Sequence, residues 1–359
     1  MKILLLPKYS RSGASSRLRT LQYVPGLESE GVKVSVESLF DDAYLELLYG
    51  TGNRSVWALT KCYFRRAANI FRRKDYDLVW IEKELFPYIP MFIEKFFLSV
   101  PYVVDYDDAV FHNYDRSRFF WVRLLLSKKI DAVMRGANCV VVGNRYLGAR
   151  AGVAGASKVV IIPTVVDSER YPAASISDRR LVIGWIGSPS TQKYIIDICE
   201  ALAHACRILN AQVVLVGASS DIAAQLPGVD VAVLPWSEET EAELICRMSV
   251  GIMPLKDGPW EKGKCGYKLI QYMACGVPVI ASAVGANVEI VEASGGGYLA
   301  RDIPEWSQLL ETLLTDSELR ASLGAAGRKA VLDNYSLQAQ APILLNILRS
   351  AVDKKNADL

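Results

Sequence analysis

Two lysines four residues apart, Lys264 and Lys268, lie in the stretch Gly263-Lys264-Cys265-Gly266-Tyr267-Lys268-Leu269-Ile270-Gln271, ahead of Gly276 and an apolar run over 277–282. A glycine-containing loop that opens into a helix aims backbone N–H groups at one point, and neighbouring ammonium groups add charge. A diphosphate is the ligand that suits such a spot. Lys264, Lys268 and Gln271 share one face if the helix begins early; the plainer alternative is an amphipathic helix with solvated lysines. A second candidate is Gly184-Trp185-Ile186-Gly187-Ser188-Pro189-Ser190-Thr191-Gln192-Lys193. A strand ends there at Gly187, and the hydroxyls with Lys193 suit an anion, although a capped strand–helix loop reads the same way.

Two further sets lie in the first half. Asp105, Asp107 and Asp108 close an apolar strand, with His112 just beyond. Three carboxylates repel one another unless a ligand, lysine or arginine is near, and a helix N-cap accounts for only one of them. After the first strand, Gly13, Ala14 and Ser15 permit close approach to the backbone, and Arg11, Arg17 and Arg19 supply positive charge. A capped first helix with solvated arginines is the other reading. The chain contains neither the Gly-x-Gly-x-x-Gly dinucleotide fingerprint nor the Gly-Lys-Ser/Thr of a P-loop.

Short apolar runs alternate with helical patterns and position these residues. Strands are expected at 2–6, 32–38, 78–81, 102–105, 139–142 and 159–162, then at 181–186, 212–216, 231–234, 250–254, 277–282 and 297–300. Helices are expected over 16–30, 117–135, 191–209, 237–248, 268–273 and 304–334. Strand–helix alternation repeated twice predicts two doubly wound α/β units, with a linker near 163–177 and a terminal helix from 337. Ligands of open parallel sheets bind beyond the carboxyl ends of the strands, where all four candidate sets fall.

Length and composition bound the rest. A chain of 359 residues exceeds one ordinary core, and 51% apolar with 22% charged residues describes a folded globular protein. A net charge of +2 gives no reason to expect nucleic acid as a partner. The seven cysteines lack metal-ligand spacing and fit reduced, buried thiols, while two histidines, His112 and His204, make a His-built zinc site improbable. The opening apolar run is too short for a signal peptide, and no apolar run reaches membrane-spanning length. Two stretches, 54–74 and 116–129, interleave arginine and lysine with aromatic residues and contain no acid. Such a mixture suits the surface of an anionic bilayer; a solvated helix face is the alternative.

Together these blocks resemble the retaining glycosyltransferases of family 4, over most of the chain and most specifically from Gly184 to Tyr335. The run 268–282 is similar to the family's donor signature of Glu, seven residues, then Glu-Ala-Met-Ala-Cys-Gly-x-Pro-Val-x-Ala-Ser. Val284-Gly285-Ala286-Asn287-Val288-Glu289-Ile290-Val291 and Leu323-Gly324-Ala325-Ala326-Gly327-Arg328 extend the match beyond that signature. The departures are specific. The ribose-binding glutamate of the family falls on Gln271, its first glutamate on Gly263 with Glu261 two residues away, and its arginine on Trp185 or Ser188. Asp107-Asp108 takes the place of a His-Asp pair.

The resemblance implies an α/β GT-B fold: two Rossmann-like doubly wound domains facing across a cleft, with a C-terminal helix crossing back to the N-terminal domain. The implied domains are 1–170 for the acceptor, 171–336 for the nucleotide-sugar donor, and 337–359 for the helix. It implies a UDP- or GDP-sugar donor, with the base near Trp236 and the ribose near Gln271. The sugar would meet Glu261, and the diphosphate would lie among Gly187, Ser188, Lys193, Lys264, Gly266, Tyr267 and Lys268. Lys193, Lys268 and Asp107 are the implied catalytic residues, and Gly13, Ala14, Arg17, Asp108 and His112 the implied acceptor contacts. No metal and no cofactor is expected, because the leaving diphosphate takes the acceptor's proton and needs chiefly charge stabilisation. A lipid-linked saccharide acceptor, as in bacterial O-antigen, capsule or lipopolysaccharide assembly, fits the basic-aromatic stretches. The implied location is cytoplasmic, peripheral on the inner face of the cytoplasmic membrane. The alternative is a non-catalytic GT-B protein that binds a nucleotide-sugar or saccharide.

Overall fold

In the computed structural model the chain divides into two compact units, Met1–Thr164 with Gln340–Leu359, and Val165–Ala339. The structure describes residues 1–51, 56–98, 100–173 and 180–357; Arg54 and positions 174–177 of the expected linker lie outside them.

All twelve expected strands form, with no end shifted by more than two residues. The first unit holds β1 (Lys2–Leu6), β2 (Lys33–Val36), β3 (Leu78–Glu82), β4 (Tyr102–Tyr106), β5 (Cys139–Val142) and β6 (Val159–Ile161). They make one parallel sheet in the order β2-β1-β3-β4-β5-β6. The second unit holds β7 (Val182–Ile186), β8 (Gln212–Val216), β9 (Val231–Leu234), β10 (Val250–Met253), β11 (Val279–Ser282) and β12 (Gly297–Ala300). Its parallel order is β12-β11-β10-β7-β8-β9. The central strands of each sheet are buried on both sides, which is why their runs read as continuously apolar. Strand order reverses between β1 and β3 in one sheet and between β7 and β10 in the other. At such a switch point the flanking connections leave toward opposite faces and open a crevice at the carboxyl ends.

The expected helices are more broken than their periodicity suggests. The stretch 16–30 becomes Ala14–Arg19, a 3-10 turn at Leu21–Tyr23, and Val24–Ser29, which restarts with Pro25 in its first turn. The stretch 304–334 breaks at Asp316, whose carboxylate accepts from the Leu319 N–H at 2.8 Å and caps a new helix, Ser317–Asn334. The stretch 117–135 divides into Phe120–Leu126 and Lys129–Gly136, and Lys129, which opens the second helix, is buried.

No helix among the described residues is long and apolar enough to cross a membrane. The seven cysteines are free thiols; Cys199, Cys206 and Cys246 are only half-buried.

Candidate functional site

In the second unit the candidate residues gather at the switch point. Helix Tyr267–Ala274 begins after Gly266, whose φ of +65° is a left-handed conformation that glycine adopts without cost, and no side chain caps its first turn. Tyr272, one turn in, is fully buried, and its hydroxyl accepts from the Ile186 N–H at 2.9 Å, pinning the helix to the end of β7. Lys268 is thereby carried over Trp185, its Nζ lying 4.4 Å from the ring centroid. A cation over an indole is attracted by the ring's negative face.

Gly187 closes β7 directly above this pair. A Cβ there would stand 2.5 Å from the Trp185 ring and 2.8 Å from Lys268 Nζ. A Cβ on Gly217, after β8, would collide with the Gly187 carbonyl and crowd Trp236, which lies just past β9. Small residues at the ends of β7 and β8 thus let three loops meet.

Glu261 joins from helix Pro259–Lys262, where it accepts from the Tyr194 hydroxyl at 2.5 Å. Lys264 sits in the turn before the helix, its N–H donating to the Glu261 carbonyl at 3.0 Å. Lys264 therefore does not share a helical face with Lys268 and Gln271, because the helix starts too late. Burial, and then the Lys264 charge, lower Lys268 to about 7.

The remaining donor-side candidates are arranged differently. Lys193 is exposed at the start of Lys193–Ile196 with Nζ 5.1 Å from the Tyr194 ring, and among the described residues no contact joins it to Lys268. Ser188 is exposed, its hydroxyl 2.9 Å from that of Ser190. Gln271 is buried and donates to the Tyr171 hydroxyl at 3.1 Å.

Lys268 also couples stability to pH. Its native pKa lies below the ordinary 10.5, so the unfolded chain holds more protons between about 7 and 10.5, and stability rises with pH across that window. An anion seated beside it restores the proton. Inorganic pyrophosphate is expected to bind with proton uptake near neutrality and more weakly as the pH climbs above about 7. Calorimetry in two buffers of different ionisation enthalpy measures this; affinity unchanged between about pH 6 and 9 would contradict it.

In the first unit the three carboxylates find cations that the sequence pattern leaves unassigned. Asp105 pairs with Arg19 at 2.5 Å, both buried. Lys83, just past β3, places Nζ 2.9 Å from Asp107 and 3.8 Å from both Asp108 and Glu82, and donates to Ser15 Oγ at 2.7 Å. Ser15 in turn donates to Asp107 at 2.8 Å. Burial raises the Asp107 carboxyl, but Lys83 and its hydrogen bond outweigh that and leave it below the ordinary carboxylate range. Lys83 has a φ of +65°, strained for a residue with a side chain, as is common at functional sites. Its signal is the Glu82-Lys83-Glu84 run closing an apolar strand.

Asp107 is thus held by Lys83 and Ser15, while Asp108 is 31% exposed. His112 has both ring nitrogens engaged, by Asp115 and the Tyr146 hydroxyl, each at 2.8 Å. Gly13 precedes helix Ala14–Arg19; Ala14 is exposed, and Arg17 is buried with its guanidinium donating to the Arg11 carbonyl at 3.2 Å.

The basic stretches divide by burial. Arg66 donates to the Pro7 carbonyl at 2.5 Å, Arg73 donates to the Ile70 and Phe96 carbonyls, and Lys129 pairs with Glu84 and Glu94, all inside the unit. Lys61, Lys74, Arg118 and Lys128 remain exposed, beside exposed Trp57, Phe64, Phe119, Phe120, Trp121, Leu124 and Leu125. A third helix, Met91–Phe97, absent from the expected elements, exposes Phe92 (77%) and Phe96 (65%) next to Lys95, while its one acid, Glu94, is buried.

Two six-stranded parallel sheets, each with charged side chains at its switch point, define a protein of the GT-B type. Residues 180–316 match the family model of "Glycosyl transferases group 1", so the second unit carries a group 1 glycosyltransferase domain. A curated relative from Corynebacterium glutamicum, a GDP-mannose-dependent monoacylated alpha-(1-6)-phosphatidylinositol monomannoside mannosyltransferase, is 40% identical over 86 residues, 24% of this chain and 23% of its own. The chain spans less than half the length of the first curated relatives it matches, 43% and 23%. Among solved structures, sucrose-phosphate synthase from Thermosynechococcus elongatus aligns with a TM-score of 0.75 at 19% identity, over 98% of both chains. HepE from Anabaena, in complex with UDP and glucose, aligns with 0.71 at 18%, over 98% of this chain and 100% of its own.

Proposed function

We propose that this protein is a metal-independent, retaining glycosyltransferase of family 4 that moves a sugar from a UDP- or GDP-sugar to a lipid-linked saccharide in bacterial cell-surface polysaccharide synthesis. The observation that carries the reading is the Lys268 ammonium at the β7 switch point, above Trp185 and against Gly187. A group lowered to about 7 by burial gains most from a dianionic neighbour, and negative charge grows on a diphosphate as it departs. The bound UDP of the HepE complex and the GDP-mannose in the name of the Corynebacterium relative support a nucleotide-sugar donor. The lipid in that relative's name supports the acceptor class.

The test is transfer from a panel of nucleoside-diphosphate sugars to a lipid-linked saccharide in the presence of a chelator, with the product anomer read by NMR. Loss of turnover on chelation removes the metal-independent part, and an inverted product removes the retaining part. One observation favours the non-catalytic alternative: Gln271 is spent on Tyr171, so the family's ribose carboxylate has no direct counterpart. Nucleotide binding without transfer across the panel would establish that reading instead.

The exposed aromatic side chains of Val56–Phe71, Met91–Phe97 and Phe120–Leu126, with exposed Lys61 and Lys95 on the first two, support peripheral contact with an anionic membrane. Each inserted side chain is worth about 2 kcal/mol at full burial. Replacing Phe92 and Trp121 together by serine is expected to weaken binding to phosphatidylglycerol vesicles by about tenfold or more, with activity on a water-soluble acceptor unchanged. Cosedimentation measures it, and equal binding by variant and parent would count against this face.

A further inference from the structure

Gln271 lies in helix Tyr267–Ala274 and Trp236 in the loop past β9, yet a hydrogen-bonded chain joins them through one buried carboxylate. Gln271 Nε2 donates to the Tyr171 hydroxyl at 3.1 Å, and that hydroxyl donates to Glu241 Oε1 at 2.7 Å. Trp236 Nε1 donates to the other oxygen, Oε2, at 2.8 Å. Arg170 Nη2 stands 3.7 Å from Oε1. Glu241 opens helix Glu241–Cys246 and is buried. Burial, Tyr267 and Glu241 hold the Tyr171 hydroxyl far above its ordinary range, so it stays protonated and donates. A carboxylate out of water is tolerated only with its donors in place, so each oxygen holds its partner in one geometry. The indole of Trp236 is therefore tethered by its N–H while 39% of its surface stays open at the carboxyl end of β9, beside Gly217.

We infer that Glu241 is a positioning residue that fixes Trp236 as the platform for a nucleobase and links it to Gln271. An indole held in one orientation stacks a base without first losing side-chain freedom. The inference rests on the donor reading above and adds the residue that sets base affinity. It separates the two ends of the ligand: Glu241 serves the base, Lys268 the diphosphate.

The test titrates UDP, GDP and inorganic pyrophosphate, each alone, into the full chain and its variants. Glu241→Ala is expected to weaken whichever nucleotide the parent binds by about tenfold or more, with pyrophosphate affinity held within about twofold. In turnover, the donor KM rises with kcat nearly unchanged. Glu241→Gln, which keeps one acceptor oxygen, recovers part of the loss, and adding Trp236→Phe to either variant costs little more, because the two residues act as one unit. Should the alanine variant not fold, the glutamine variant and its double mutant carry the same comparison.

Nucleotide binding that survives loss of Glu241 overturns the inference alone. Pyrophosphate weakened in step with the nucleotides also overturns it, since that marks general damage to the unit. A parent protein that binds neither nucleotide overturns the donor reading and this inference together.

Discussion

Lys268→Ala is expected to lower turnover about a hundredfold to a thousandfold, the range seen when one preorganised charge stabiliser is removed. Its ammonium is already in place over Trp185, so nothing has to reorganise as charge develops on the leaving group. The same variant should lose pyrophosphate affinity and the proton uptake that accompanies binding. Lys193→Ala should be far milder, within about tenfold, because an exposed ammonium above Tyr194 is screened by water. Steady-state rates with purified variants decide the matter; parental turnover in Lys268→Ala would remove this residue from the mechanism.

The largest expected effect on stability comes from Lys129→Met. Lys129 Nζ lies 2.6 Å from Glu84 and 3.1 Å from Glu94 and also donates to the Phe86 carbonyl, with all three side chains essentially out of water. Breaking a buried ion pair from one side costs about 3–5 kcal/mol, since the carboxylates remain without their cation. Burial already raises Glu94 to about 7 with Lys129 opposing it, and loss of Lys129 raises it further. A carboxyl whose native value exceeds its unfolded value binds more protons when folded, so stability falls as pH rises between the two. The deficit of the variant is thus expected to be flat below about pH 7, where Glu94 is protonated in both folded proteins, and to grow from there toward about pH 9. Urea melts across that range measure it; a deficit that is constant with pH would show that the loss is one of packing rather than charge.

Lys129 also shows where sequence reading stops. It stands in a run with Arg116, Arg118, Arg123 and Lys128, and nothing in the run marks it as the cation that turns inward. Its acidic partners are 45 and 35 residues earlier in the chain; the packing of Met91–Phe97 near Lys129–Gly136 brings up Glu94, and the segment after β3 brings up Glu84. Lys83 is a parallel case. The three aspartates at the end of β4 advertised a need for positive charge, but Asp107 and Asp108 take it from a lysine just past the neighbouring strand β3, while Asp105 takes it from Arg19.

The strands, their order along the chain and the Gly266–Tyr267 helix start were readable because they are set by neighbours: apolar runs of five or so residues, glycine where φ turns positive, and helical spacing between. So was the place of Lys268 in the first turn of that helix, from its distance to Gly266. Its seat over Trp185, the diversion of Gln271 to Tyr171, and the joining of Tyr171 to Trp236 through Glu241 had no local sign. These pairs are separated by 83, 100, 70 and 5 residues, and even the closest needs a carboxylate buried by other segments. Backbone conformation is chosen by adjacent residues, whereas the partner of a buried polar group is whatever remote segment the sheet order delivers to it.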